Sequence, residues 1–160
     1  MKTIHAHFQK FNDVSLYHAL DSIGVYVIWD SKARVQASYI GVGNVIDRLG
    51  KHSGRFSFPL DGYVAFFDKI EDAHIVEALI IEIAKDTSRG GTHNKMAGHW
   101  SLIKKKCKNE KLKVFVKGND PLKNPSSSSS KLSTSKIIEA DLDEDGDAFY
   151  ESSHWHSRSV

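Results

Sequence analysis

Two neighbouring stretches of the chain, residues 24–29 and 38–44, are apolar and rich in aromatic residues. A polar segment, residues 30–34, separates them, and this arrangement predicts a β-hairpin. Because side chains alternate between the two faces of a strand, Tyr26 and Ile28 share one face of the first strand. Tyr39 and Gly41 share one face of the second.

The same patterning predicts the elements that flank the hairpin. Residues 14–20 and 101–106 favour short helices, and Asn44 is a suitable cap for a helix over residues 44–51. Residues 62–70 are apolar on both faces, which predicts a central strand, and residues 73–86 carry the apolar stripe of the main helix. Residues 111–117 alternate lysine with apolar residues, which predicts a last strand at the sheet edge.

Composition divides the 160-residue chain into a basic body and an acidic end. Up to Gly118 there are 18 Lys and Arg against 12 Asp and Glu, and from Asn119 onward there are 4 against 8. A basic body favours a polyanionic partner. We therefore predict a domain over residues 1–118, a Ser-rich flexible linker over 119–136, and a disordered acidic tail over 137–160 that docks on a protein partner or shields the basic face.

Cysteine content and hydropathy limit the class of protein. The one cysteine, Cys107, excludes an internal disulfide and a cysteine-based zinc cluster, and it suits a reducing compartment. No apolar run approaches the roughly 20 residues that span a bilayer, and no signal peptide opens the chain. We expect a cytoplasmic protein that does not enter a membrane.

Candidate chemistry gathers around the hairpin. Arg48 and His52 are four residues apart, so they share one face of the predicted short helix. On the main helix, Glu77 is surrounded by apolar neighbours whereas Glu82 lies on the polar side. A carboxylate among apolar groups needs a cation or a metal as partner, although an ordinary boundary glutamate explains the pattern equally well. Read alone, each of the two tyrosines is better explained by core packing.

The sequence of the predicted hairpin resembles the GIY-YIG nuclease family, with Gly24-Val25-Tyr26 as the first motif and Tyr39-Ile40-Gly41 as the second. The resemblance covers roughly residues 22–96. It implies an α/β (α+β) fold with a small three-stranded antiparallel sheet flanked by helices, and an endonuclease that uses one divalent metal held by a glutamate. Carried over position by position, the catalytic residues are Tyr26, Tyr39, Arg48, His52, Glu77 and Asn94, with Glu77 as the metal ligand and Glu82 as the alternate.

The implied reaction is hydrolysis of DNA phosphodiester bonds, with RNA as another substrate left open. His52 would activate water, directly or through a tyrosine; Arg48 would bind the phosphate; and Mg²⁺ or Mn²⁺ on Glu77 would stabilise the leaving oxygen. Further phosphate contacts are expected from the basic residues Lys51, Arg55, Lys95, Lys104, Lys105 and Lys106. The alternative is a module that binds nucleic acid without cutting it. A partner protein or homodimerisation would supply sequence specificity.

Overall fold

The computed structural model describes residues 1–13, 22–29, 37, 39–52, 61–86, 110–142 and 148–151. In this part of the chain seven strands form one sheet: β1 (Lys2–Lys10), β2 (Ile23–Trp29), β3 (Tyr39–Asn44), β4 (Asp61–Phe67), β5 (Lys111–Gly118), β6 (Lys136–Leu142) and β7 (Ala148–Glu151). Two helices accompany it, α1 (Val45–His52) and α2 (Ile70–Asp86). The helices predicted over residues 14–20 and 101–106 lie outside the described residues.

The predicted hairpin is confirmed. Strands β2 and β3 pair antiparallel from Ile23–Asn44 to Ile28–Tyr39. Strand β4 pairs with the other side of β2 and continues to β1, so the prediction that it is an interior strand is also confirmed.

The prediction of a small three-stranded antiparallel sheet flanked by helices is wrong. The strand order is β3-β2-β4-β1-β5-β6-β7, so the three predicted strands are one end of a larger sheet. The sheet is mixed, because β1 and β5 run parallel from Lys2–Leu112 to Phe8–Gly118 while the other pairs are antiparallel. Strand β5 is interior rather than at the edge. Patterning identified it as a strand, but only long-range pairing decides which strands lie beside it.

The prediction of a disordered acidic tail over 137–160 is wrong for its described part, since residues 136–142 and 148–151 are strands of the sheet; residues 143–147 and 152–160 lie outside the described residues. The Ser-rich segment before them is held by backbone hydrogen bonds, from Asp120 N to the Ser130 carbonyl at 2.7 Å and from Leu132 N to the Gly118 carbonyl at 2.8 Å. Composition failed here because a polar segment becomes ordered when its polar groups find partners within the fold.

One buried ion pair fastens this segment to the sheet. The Lys136 ammonium lies 2.7 Å from the Asp120 carboxylate, and these side chains are 1% and 2% exposed. The indole of Trp29 on β2 donates to the Pro121 carbonyl at 2.9 Å, and the Tyr63 hydroxyl on β4 donates to the Lys123 carbonyl at 2.6 Å. We call residues 119–135 the connector.

The hydrophobic core lies between α2 and one face of the sheet. Strand β2 contributes Val25, Val27 and Trp29, and α2 contributes the apolar stripe predicted over residues 73–86. We call the opposite face of the sheet the tyrosine face, because it carries a second buried cluster of Tyr26 and Ile28 with Phe11 and Tyr39 packed against it.

Candidate active site

The two tyrosines of the hairpin meet on the tyrosine face. Tyr26 pairs across the strands with Gly41, and Ile28 pairs with Tyr39. Diagonal neighbours on adjacent strands are within reach of aromatic side chains. The two rings are stacked with their centroids 6.2 Å apart and an angle of 24° between the planes.

Gly41 makes room for Tyr26. A Cβ atom at Gly41 would overlap the phenol oxygen and the adjoining ring carbon of Tyr26. The glycine therefore allows the Tyr26 ring to lie across β3, and it explains physically why a glycine stands two residues after Tyr39.

Gly43 has the same function for Arg48. Its φ of +145° lies in the region that favours glycine, and a Cβ there would lie 2.9 Å from Arg48 Nε and 3.3 Å from Arg48 Cγ. Helix α1 begins directly after Asn44, whose side chain accepts a hydrogen bond from Asp47 N at 3.1 Å. The cap starts the helix at once, so Arg48 in its first turn folds back over the end of β3.

Electrostatics links Tyr26 to three other predicted site residues. Tyr26 is 2% exposed, and its pKa lies well above the ordinary value of 10.0, chiefly because burial disfavours the phenolate. The charges of Tyr39 and Glu77 raise this pKa further, whereas the Arg48 guanidinium lowers it. Ring stacking joins Tyr39 to Tyr26, and Gly43 brings Arg48 to the same end of β3. Glu77, on α2, is linked to Tyr26 through the effect of its charge on this pKa.

The two candidate glutamates of the main helix differ in burial. Glu77 is 4% exposed on α2, whereas Glu82 is half-buried, as the apolar setting of Glu77 predicted. Glu82 is not among the groups that act on the pKa of Tyr26. A nearly buried carboxylate must be compensated by hydrogen bonds or a positive charge.

The four groups differ in their access to solvent. Arg48 is exposed and Tyr39 is half-buried, whereas Tyr26 and Glu77 are buried. Because burial raises the pKa of Tyr26, its hydroxyl keeps its proton at neutral pH and can donate a hydrogen bond but cannot act as a base. An arriving anion would meet Arg48 and Tyr39 first.

Other predicted site residues are described only in part. His52 is the last residue of α1, but its side chain lies outside the described residues. Lys51 is exposed and lies 3.3 Å from the Asp47 carboxylate. Asn94, Arg55 and Lys95, together with Lys104, Lys105 and Lys106, lie outside the described residues, so their roles stay predictions.

The chemistry of the donors fits a hard divalent cation. Mg²⁺ prefers oxygen ligands and keeps several waters, so one carboxylate such as Glu77 can hold it. Among the described residues there is no group of three or more His, Cys, Asp or Glu side chains able to hold a metal.

Sequence reasoning did not count Gly41 and Gly43 among the site residues. The signal was present, because a Gly-x-Gly run directly after a strand tyrosine and before a helix cap leaves no Cβ atoms where side chains from two neighbouring elements must cross.

In comparisons with known proteins, no protein-family model, no curated protein and no solved structure matches the chain. In the described residues, no helix is both long enough and apolar enough to cross a bilayer.

Proposed function

We propose that this protein is a divalent-metal-dependent endonuclease that hydrolyses DNA phosphodiester bonds. The observation that carries the proposal is the meeting of Tyr26, Tyr39 and Arg48 around Gly41 and Gly43. The buried Glu77 adds a carboxylate whose charge acts on the Tyr26 hydroxyl. The resemblance of the hairpin to GIY-YIG nucleases supplied the same four residues independently.

Arg48 binds the scissile phosphate. Its guanidinium is exposed, always charged, and planar, so it can donate two hydrogen bonds to phosphate oxygens. Folding over Gly43 restricts the stem of the side chain, which reduces the entropy lost when the phosphate binds.

Tyr39 and His52 prepare the attacking water. His52 is the candidate base, because an imidazole can accept a proton near neutral pH. Tyr39 is the more accessible of the two tyrosines, which supports a role in orienting the water or passing on its proton. Tyr26 is a positioning residue, because its ring stacks on Tyr39 and its hydroxyl keeps its proton.

Glu77 is the proposed ligand of Mg²⁺ or Mn²⁺. The metal ion would supply positive charge that stabilises the leaving oxygen. The carboxylate has a second effect on this chain's own residues, because its negative charge keeps the proton on Tyr26.

Cleavage of supercoiled plasmid in the presence of Mg²⁺ tests this assignment. We expect wild type to nick the plasmid, and Arg48→Ala and Glu77→Gln to lower the rate by about 10²–10³-fold, which is typical for loss of one charge-stabilising group. Glu71→Gln, an exposed glutamate in the first turn of the same helix, is the matched control and should cleave as wild type does. Circular dichroism establishes that each variant is folded.

Undiminished cleavage by both Arg48→Ala and Glu77→Gln would overturn the site. Loss of activity in Glu82→Gln but not in Glu77→Gln would move the metal to Glu82.

A module that binds DNA without cutting it is the second candidate. The observation that favours it is the burial of Tyr26 and Glu77, which leaves Arg48 and Tyr39 as the accessible part of the site. It predicts salt-sensitive DNA binding by wild type without any nicking of the plasmid.

A further inference from the structure

The tyrosine face continues across the sheet into a row of basic side chains. On β1, His5 and His7 alternate with the core residues Ile4, Ala6 and Phe8, so they point away from α2. On β5 the lysines alternate with Leu112, Val114 and Val116 in the same way. We call the outward residues the basic stripe: His5, His7, Lys111, Lys113 and Lys117.

Strand register connects the stripe to the candidate active site. Paired residues point to the same face, and Gln9 pairs with Val64, which pairs with Tyr26. Three strand spacings of about 4.8 Å, about 14 Å in all, separate β2 from β5 across the sheet. The end of the stripe at His7 and Lys117 lies nearest to the register of Tyr26, and the stripe runs away from it along the strands. A DNA duplex lying over this face would cover both.

Charge on this face changes sign along the strand order. The stripe is exposed except for Lys113, which is half-buried. Beyond it, Glu139 on β6 pairs in register with Lys113 and with Glu151 on β7. The basic strands therefore lie toward the active site and the acidic strands lie at the far edge, where they would repel phosphate.

Phe115 lies between the stripe residues Lys113 and Lys117 on β5, and its ring is already in contact with side chains of the stripe. The ring of His5 stacks on the ring of Phe115 with their centroids 5.1 Å apart and an angle of 11° between the planes. Lys113 Nζ lies 5.3 Å from the centre of the Phe115 ring. These contacts orient the side chains of His5 and Lys113, and they favour phosphate contact over the base stacking that single strands require.

From this geometry we propose that the basic stripe docks the phosphate backbone of duplex DNA and positions it on the candidate active site. The choice of DNA rests on the proposed function. Lys111 to Lys117 spans six residue steps, about 20 Å at about 3.3 Å per residue, which is the axial length of about six base pairs.

The salt dependence of binding to a 30-base-pair duplex tests this docking. Binding is followed by fluorescence anisotropy in EDTA, so that cleavage plays no part. Each phosphate contact contributes about 0.9 to the slope of log K against log salt, so Lys113→Gln/Lys117→Gln should reduce the slope by about 1.8. The matched control is Lys69→Gln/Lys131→Gln, which removes the same charge from two exposed lysines outside the stripe. Its slope should equal that of wild type.

An unchanged slope in the stripe variant, an equal reduction in both double variants, or no duplex binding by wild type would each overturn the docking surface. These outcomes are separate from the cleavage assay. A protein that binds through the stripe and never nicks plasmid would retain this proposal while the nuclease assignment fails. If wild type nicks plasmid and the stripe variant keeps the wild-type slope, the nuclease assignment is retained and the docking surface fails.

Glu139 supplies a test in the opposite direction. Its carboxylate lies 3.7 Å from Lys113 Nζ, in a partly exposed ion pair that competes with phosphate for the lysine. Because such pairs are weak, Glu139→Gln should tighten duplex binding by about two- to fivefold. Weaker or unchanged binding by Glu139→Gln would contradict the contact between Lys113 and phosphate.

Discussion

At the scale of single residues, burial decides what each tyrosine can do. Tyr26 and Tyr63 are 2% and 0% exposed, and burial is the main cause that raises the pKa of each hydroxyl above 10.0. Tyr39 is half-buried beside Tyr26. Tyr26 and Tyr39 look equivalent in the sequence but differ in chemistry. Tyr26 is a buried hydrogen-bond donor, whereas Tyr39 is in contact with solvent.

The buried tyrosines should make the protein sensitive to alkali. Above pH 10 the unfolded chain releases these protons while the folded chain retains them, so the free energy of unfolding falls as pH rises. Each tyrosine contributes a slope of up to about 1.4 kcal/mol per pH unit. Urea unfolding between pH 9 and 11.5 should show this fall, and Tyr26→Phe and Tyr63→Phe should each make it shallower by about that amount. A slope identical in wild type and both variants would contradict the assigned direction of these pKa shifts.

At the scale of elements, the candidate site depends on how closely β2, β3 and α1 approach one another. Gly41 admits the Tyr26 ring, and Gly43 admits the stem of Arg48. Asn44 then begins α1 without an intervening loop. The site is therefore assembled at the end of one strand, where Gly41 leaves room for Tyr26, Gly43 leaves room for Arg48, and Asn44 caps α1.

Gly41→Ala tests the close approach of β2 and β3. The added methyl group overlaps the buried Tyr26 ring, so we expect a loss of about 1–3 kcal/mol in the free energy of unfolding. In a Tyr26→Phe background the loss should be smaller, because the phenol oxygen is the atom nearest the methyl group. A double-mutant cycle by urea unfolding measures this coupling, expected at about 0.5–3 kcal/mol. Gly43→Ala is the control, because its neighbour is Arg48, and it should show no coupling to Tyr26→Phe. Strict additivity of Gly41→Ala and Tyr26→Phe would argue against the overlap.

At the scale of the whole molecule, the connector joins the two ends of the sheet. It contacts Trp29 on β2 and Tyr63 on β4 through its carbonyl groups, and Asp120 pairs with Lys136 at the start of β6. Asp120 also accepts a hydrogen bond from Leu122 N at 3.0 Å. The acidic strands are thereby held beside the basic strands.

Breaking the buried ion pair should weaken the whole fold. Asp120→Asn leaves the Lys136 ammonium buried without its counter-charge, which costs about 3–5 kcal/mol in the free energy of unfolding. Asp120→Asn/Lys136→Met removes both charges and should recover part of that loss. Asp47→Asn, which breaks the exposed pair with Lys51, is the control and should cost less than about 1 kcal/mol. Equal effects of Asp120→Asn and Asp47→Asn in urea unfolding would contradict the fastening role of the pair.

Local features of the chain were predictable because they depend on neighbours in the sequence. The two apolar, aromatic-rich runs at residues 24–29 and 38–44, with a polar segment between them, predicted the hairpin, and the apolar surroundings of Glu77 predicted its burial. The first strand was missed, although Ile4, Ala6 and Phe8 alternate with Thr3, His5 and His7. The functional roles of the site residues stay predictions until cleavage and binding are measured.

The sequence by itself determined which segments are strands and helices around the hairpin, because side-chain periodicity and capping act within a few residues. Tertiary structure decided which strands are neighbours: β1 runs parallel to β5, and the acidic segment extends the sheet as β6 and β7. It also decided that the basic stripe shares a face with the tyrosines. Pairing between distant strands depends on the burial and hydrogen bonding of the whole sheet, which no short stretch of sequence contains.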